Sequence, residues 1–177
     1  MENNHMSIDE NIKKQIHEDI VGEIFRQIII KEGVALDYVL LHEDDFQFEE
    51  DGNAISGAVH IFKDDNGLWT VWEVDYEYGA YYNVASFNNQ IEAYIEAASR
   101  RGLNLKLEDF NYDINDTDNM LNIVGSAEDF LLAGIEFYDK FYEGHSEKLK
   151  ERYLLLASLE KQLLNNKDNK LSRKRMI

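Results

Sequence analysis

The sequence predicts an α+β fold: an N-terminal helix, an antiparallel β-meander of about four strands, and then three helices packed on one face. Apolar residues recur at helical spacing near the start of the chain and again after residue 88. Between these regions, residues 35–87 alternate apolar and polar side chains between short turn sequences, which is typical of sequential antiparallel strands.

The N-terminal helix is predicted from isoleucines at every fourth position, with Val21 and Phe25 beside them: Ile8, Ile12, Ile16, Ile20, Ile24 and Ile28. Ser7 and Glu10 have the spacing of a capping box, and Gly33 is a plausible stop. Burying six isoleucines contributes on the order of 10 kcal/mol before entropy is subtracted. We therefore expect this stripe in the core and not in a partner's groove.

The strands are bounded by turn residues. Residues 35–41, 54–62 and 68–78 are expected strands, and residues 64–67 (DDNG) suit a hairpin turn between the second and the third. Gly79 separates the third of these strands from a further one at residues 80–87.

The helical period returns at residues 88–101. Residues 103–119 are polar and acidic, and we expect them to form a solvated connector. Ser126 with Asp129 suggests the start of another helix, and a last helix is expected over residues 146–164. The prediction is a single acidic α+β domain at 1–166, followed by a basic, disordered tail at 167–177.

The charge of the chain limits its partners. Its 177 residues include 18 Lys and Arg against 35 Asp and Glu, a formal net charge of −17. Such a field disfavours nucleic acid and anionic membranes, because both carry phosphate. The sequence has no cysteine, no apolar run of membrane-spanning length and no signal-peptide pattern, so a cytoplasmic location is expected.

The usual catalytic patterns are absent from the sequence, including HExxH, GxxxxGK, GxGxxG and GxSxG. The five histidines are not spaced as ligand pairs. Residues 113–119 resemble the opening of a calcium loop, but Asp118 stands where Gly is needed and Val124 where a bidentate Glu is needed. We therefore expect no enzyme activity, no cofactor and no metal.

The segment 68–82 carries the most information about function. In a strand, alternate residues share a face, so Trp69, Val71, Glu73, Asp75 and Glu77 lie together, with carboxylates about 7 Å apart. Three interpretations stay open: an acidic ladder that docks Lys and Arg of a partner, a carboxylate pair for acid–base or metal chemistry, or an outer sheet face that is merely acidic.

Acidic residues are concentrated around this segment. Between Asp37 and Gly79 there are twelve carboxylates and one cation, Lys63. Trp and Tyr among carboxylates are typical of protein interfaces. The expected contacts to a basic protein partner are therefore Glu73, Asp75, Glu77, Trp69, Glu43, Asp44 and Asp45.

Two stretches, residues 69–79 (WTVWEVDYEYG) and 86–95 (SFNNQIEAYI), resemble bacterial immunity proteins of polymorphic-toxin systems. The recurring segment of those proteins is a Trp-containing strand, a Glu-x-Gly turn, another strand, and then Phe, two polar residues, an acidic residue and Ala opening a helix. The segments 77–79 and 87–94 match it, with Tyr78 in place of the frequent Arg. The resemblance implies a cytoplasmic protein that binds and neutralises a cognate toxin domain.

Two other functions fit the same residues. One is an acidic nucleic-acid mimic or regulatory module that acts on DNA-binding proteins of the host. The other is a metal-dependent enzyme that uses Glu73 and Asp75.

Overall fold

The computed structural model describes residues 8–34, 39–41, 59–75 and 80–175. Within these residues the chain forms four α-helices and four strands, in the order α1 Ile8–Lys31, β1 Val39–Leu41, β2 Val59–Lys63, β3 Trp69–Asp75, β4 Ala80–Phe87, α2 Gln90–Ser99, α3 Thr117–Phe141 and α4 Glu147–Arg175. This mixed composition, with a helix, then strands and then helices, agrees with the predicted α+β class.

The sheet has the strand order β1-β2-β3-β4, and β3 is antiparallel to both of its neighbours, β2 and β4. β1 instead runs parallel to β2, with Val39 opposite Val59. The predicted meander of four antiparallel strands is therefore wrong, and three antiparallel strands carry one short parallel strand at the edge. The connection 42–58 lies outside the described residues, but it is long enough for the crossover that a parallel pair requires.

The hairpin between β2 and β3 is as predicted. Asp64 Oδ1 accepts hydrogen bonds from the backbone N–H of Asn66 at 2.8 Å and of Leu68 at 2.9 Å. Gly67 has φ +81°, a conformation that glycine adopts without steric cost. The local sequence is therefore sufficient to form this turn.

The helix α1 ends near the predicted stop, where Gly33 has φ +75° and the N–H of Val34 donates to the Ile29 carbonyl at 3.0 Å. Its isoleucines do not form one straight stripe. Each four-residue step turns the helix about 40° beyond a full circle, so the row drifts around the helix. Ile20 and Ile24 are buried, Ile16 and Ile28 are partly exposed, and Ile29 takes the next buried position.

Helix α2 lies on the sheet and contacts β2, β3 and β4, whereas α3 and α4 pack on each other and on α1. Tyr94 of α2 is the residue that joins these layers. Its ring stacks on Phe25 of α1 at 4.6 Å between centroids, meets Trp69 of β3 edge-on at 6.0 Å and lies 6.2 Å from Phe110. Because all four rings are buried, they form the centre of the core.

Two predicted boundaries differ in the structure. Helix α3 begins at Thr117 and not at Ser126, because the Asp116 side chain caps it by accepting from the N–H of Asn119 at 3.3 Å. Helix α4 continues to Arg175, so the segment expected to be a disordered tail is helical as far as that residue. Basic residues in the last turn of a helix are favourable because the helix dipole is negative there. In the part of the chain described, no helix combines the length and apolarity that crossing a membrane requires.

Candidate functional site

The predicted acidic face of β3 is turned toward the core at its first residues. Val71 and Trp69 are buried, and Val71 lies opposite Ile61 of β2. Glu73 is also buried and lies opposite Val59. The prediction that Trp69 and Glu73 are exposed contacts is therefore wrong. Burial of the apolar side chains Trp69 and Val71 turns this face of β3 toward the core, although Glu73 lies on the same face.

The Glu73 carboxylate is held by groups from β4 and the end of α2. Its Oε2 accepts from Asn83 Nδ2 at 2.9 Å and lies 3.4 Å from Arg100 Nη1, and Arg101 Nη1 lies 3.9 Å from Oε1. Asn83 has φ +52° where the β3–β4 register shifts, so a β-bulge directs its amide toward Glu73. A buried carboxylate is tolerated because it is paired in this way.

The remaining expected contacts stay predictions. Asp75 ends β3, and its side chain lies outside what the structure describes. Glu77 and the Glu43, Asp44 and Asp45 cluster also lie outside the described residues.

Sequence reasoning missed a row of buried charges on α1. Glu18 lies 2.9 Å from Lys63 of β2, and Asp19 lies 2.7 Å from Arg152 of α4. Glu23 lies 2.6 Å from Arg26 on the same helix. The partners of Glu18 and Asp19 are distant in sequence, so no local pattern shows that these carboxylates are paired. The first two pairs join α1 to the sheet and to α4, and the third lies within α1 itself.

One exposed acidic segment in the described part of the chain is residues 103–119, which we call the acidic connector. It joins α2 to α3 and includes five carboxylates and one lysine: Glu108, Asp109, Asp113, Asp116, Asp118 and Lys106. All five carboxylate residues are exposed. The segment was predicted as a solvated linker, but the sequence analysis assigned it no function.

Two aromatic side chains fix the acidic connector to the domain. Phe110 is buried against Phe25 and Tyr94, with centroid distances of 6.2 Å to each. The Tyr112 hydroxyl lies 2.6 Å from Nδ1 of His17 on α1. Burial raises the pKa of Tyr112, so the phenol stays protonated, and its hydroxyl lies within hydrogen-bonding distance of the imidazole. Phe110 and Tyr112 are the signal in the sequence that this polar connector is anchored to the domain.

Four of the five carboxylates of the acidic connector have a partner: three accept from nearby backbone N–H groups and one pairs with a lysine. Asp109 Oδ2 accepts from the N–H of Lys106 at 2.8 Å, and Asp113 Oδ1 accepts from the N–H of Asn115 at 2.9 Å. Asp116 caps α3, and Asp118 lies 3.0 Å from Lys167 of α4. Side chains ordered in the free protein lose less entropy when a partner binds.

The acidic connector presents two exposed apolar side chains, and its residues also line parts of two clefts. Leu107 is 59% exposed and Ile114 is 57% exposed. One cleft, of about 330 Å³, is lined by Ile28, Lys31, Glu32, Leu103, Asn104, Leu105 and Asp109. The other, of about 240 Å³, is lined by Ile114, Asn115, Thr117, Leu163, Asn166, Asn169, Lys170 and Arg173. Aliphatic side chains surrounded by charge are typical of a protein-docking surface.

Across the described residues, no group of three or more His, Asp or Glu side chains is arranged to hold a metal ion. Comparison with protein-family models, with curated proteins and with solved structures finds no match for the chain.

Proposed function

We propose that this chain is a cytoplasmic immunity protein that binds and neutralises a cognate antibacterial toxin domain. The observation that supports the proposal best is the acidic connector, an anchored surface with five exposed carboxylates and two exposed aliphatic side chains. The connector replaces Trp69 and Glu73 as the expected contact surface, because both of those side chains are buried. The resemblance of residues 69–95 to immunity proteins supplies the class of partner.

The charge indicates the chemistry of the partner. Nucleases and other toxins that act on nucleic acid need a basic surface for phosphate, and an acidic inhibitor is complementary to that surface. Complementary charge raises association rate constants toward roughly 10⁸–10⁹ M⁻¹s⁻¹ at low salt. Fast association suits a protein that must bind a toxin before the toxin acts.

The test measures binding of the neighbouring gene's product to connector variants. Glu108→Lys combined with Asp113→Lys reverses two exposed charges in the acidic connector. We expect the dissociation constant measured by titration calorimetry to rise at least about tenfold. A tenfold rise corresponds to a loss of about 1.4 kcal/mol of binding free energy. The matched control is Asp65→Lys with Glu92→Lys, which makes the same change in charge at exposed positions elsewhere.

The assay distinguishes a connector interface from a general effect of charge, and a cognate toxin from many basic partners. Equal weakening by both double variants would indicate a general charge effect and not a connector interface. Glu43→Lys, Asp44→Lys and Asp45→Lys test the remaining predicted cluster in the same assay. Capture of many unrelated basic proteins at similar affinity would contradict a cognate toxin and favour the nucleic-acid mimic.

A further inference from the structure

The basic end of α4 lies against the acidic connector. Lys167 Nζ is 3.0 Å from Asp118 Oδ1. Next to this ion pair is the cleft of about 240 Å³ that both elements line: Ile114, Asn115 and Thr117 from the acidic connector, and Leu163, Asn166, Asn169, Lys170 and Arg173 from α4. The last turns of α4 and the acidic connector therefore form one continuous surface.

The inner face of α4 changes character where it reaches this cleft. Leu149, Leu156 and Leu163 follow one another at intervals of seven residues and are buried. The next position in this series is Lys170, which is exposed and lines the cleft. Seven residues make about two turns of helix, so Lys170 lies on the same side of α4 as the leucines. A series of core leucines thus ends in a cation beside the acidic connector.

The charges of the two elements are opposite and equal. Residues 167–175 of α4 have five basic groups and one acidic group, a charge of +4. The acidic connector has five carboxylates and one lysine, a charge of −4. Because unlike charges attract, this end of α4 offsets part of the negative field of the acidic connector in the free protein. A basic partner of the acidic connector therefore meets cations that are already in place.

The ion pair between Lys167 and Asp118 is accessible to such a partner, because the side chains are 47% and 81% exposed. An exposed pair contributes little to stability, so a partner's lysine or arginine can replace Lys167 at small cost. We propose that the basic end of α4 is an internal competitor, which occupies Asp118 and the adjacent cleft in the free protein and is displaced when a basic partner binds there. This proposal rests on the function proposed above for the acidic connector.

The internal competitor makes binding more selective. A partner that offers only positive charge gains little, since it replaces one set of cations with another. A partner that also covers the exposed side chains of Leu107 and Ile114 gains the burial of apolar surface in addition. Specificity is a difference between two such affinities, so the competitor favours a cognate partner over unrelated basic proteins.

The first test uses a fluorescent oligoarginine peptide with both ends blocked, whose binding is followed by anisotropy. The matched control is Lys174→Gln with Arg175→Gln, which removes two charges from the same end of α4 at exposed residues outside the cleft lining. Lys167→Gln with Lys170→Gln should bind the peptide about two- to fivefold more tightly than this control, the range that an exposed ion pair gives. Equal binding by the two double variants would show an effect of net charge alone and overturn the proposal.

The second test detects the displacement directly. A carbodiimide joins a lysine amine to a carboxylate in contact with it as an amide, the reagent taking up the water released, and it does not couple arginine side chains. Mass spectrometry of the digested protein should find Lys167 linked to Asp118 in the free protein, and saturating oligoarginine should suppress this link. The control is the pair of Lys150 and Asp139, 3.6 Å apart near the other end of α4, which should link equally with and without the peptide. A link between Lys167 and Asp118 that persists at saturation, or that is absent from the free protein, would overturn the proposal.

The neighbouring gene's product separates this proposal from the proposed function. If the product binds Lys167→Gln with Lys170→Gln more tightly than the control variant, both proposals are supported. If it binds the parent but gains nothing from the loss of these two lysines, the competitor is overturned and the proposed function stands. If it does not bind the chain, the proposed function fails, and the peptide and cross-linking results still decide whether α4 competes at the acidic connector.

Discussion

Arg152 of α4 donates two hydrogen bonds to one oxygen of Asp19 on α1, from Nε at 3.0 Å and from Nη2 at 2.7 Å. Both side chains are buried, and 132 residues separate them along the chain. Asp19 also accepts from Gln15 at 3.3 Å. This pair therefore fixes the position of the last helix on the first.

Asp19→Ala should destabilise the protein by about 3–5 kcal/mol, because it leaves the buried Arg152 charge without its carboxylate. Asp19→Leu combined with Arg152→Met should recover much of the loss, since no unpaired charge remains. The measurement is urea unfolding followed by circular dichroism. The control, Lys167→Ala, breaks an exposed pair on the same helix and should cost under about 1 kcal/mol. A similar cost for both alanine variants would contradict this role for the pair.

The elements that the sequence predicted well are those with local signals. Gly33 ends α1, and Asp64 with Gly67 forms the first hairpin turn. Helix α2 was predicted from the helical period that returns at residue 88, and in the structure Asn89 caps it by accepting from the backbone N–H of Ile91 at 2.8 Å. Each of these features depends on residues within a few positions of one another, so the local sequence is sufficient to predict it.

The features that the sequence did not predict depend on distant partners. The side of β3 that faces the core depends on Tyr94, and the burial of Glu73 depends on Arg100 and Arg101. The acidic connector was identified as a polar segment, but its anchoring to α1 by Phe110 was not. Charge alone therefore identified acidic segments but not which of them are exposed.

Gly22→Ala on α1 should not stabilise the protein, although alanine is favoured over glycine inside a helix by about 1 kcal/mol. The new methyl group would lie 3.3 Å from the Tyr94 hydroxyl. Tyr94 cannot easily move, because it is buried, stacks on Phe25 and accepts a hydrogen bond from Gln90 at 3.0 Å.

The comparison for Gly22 is Gly125→Ala on α3, where the added methyl group meets nothing within 4 Å. This variant should gain about 0.5–1 kcal/mol from helix propensity. Thermal unfolding of the two variants beside the parent measures the difference. Equal stabilisation by both would show that the Tyr94 ring yields to the methyl group.

Glu73→Lys should prevent stable folding, because it places a third cation beside Arg100 and Arg101 in a buried site. Glu73→Gln keeps the shape of the side chain and should be less damaging. Glu96→Gln is the matched control, since Glu96 contacts the same Arg100 at 3.3 Å but is more exposed. Circular dichroism of the three variants tests whether folded structure is lost most in Glu73→Lys, less in Glu73→Gln and least in Glu96→Gln. Normal folding of Glu73→Lys would contradict the buried position of Glu73.

Glu128 of α3 and Glu160 of α4 should make stability fall as the pH rises through neutrality. Burial raises the pKa of Glu128 from 4.5 to about 7, with further contributions from the hydrogen bond to Glu160 and from the charges of Glu160 and Asp129. Between these two pKa values the folded protein holds a proton that the unfolded chain has lost. The stabilisation is therefore complete below about pH 4.5 and is lost as the pH passes about 7.

Glu128→Gln should remove this dependence, because its amide donates to Glu160 at any pH without titrating. In urea unfolding from pH 5 to pH 8, the free energy of unfolding of the variant should increase relative to that of the parent as the pH rises. The difference between the two curves isolates this site, because the two proteins differ at this one residue. Asp129→Asn is the control and should shift the dependence only slightly, because Asp129 is the smallest of the causes that raise the pKa of Glu128. Parallel curves for the parent and Glu128→Gln would show that this carboxyl pair does not hold a proton near neutrality.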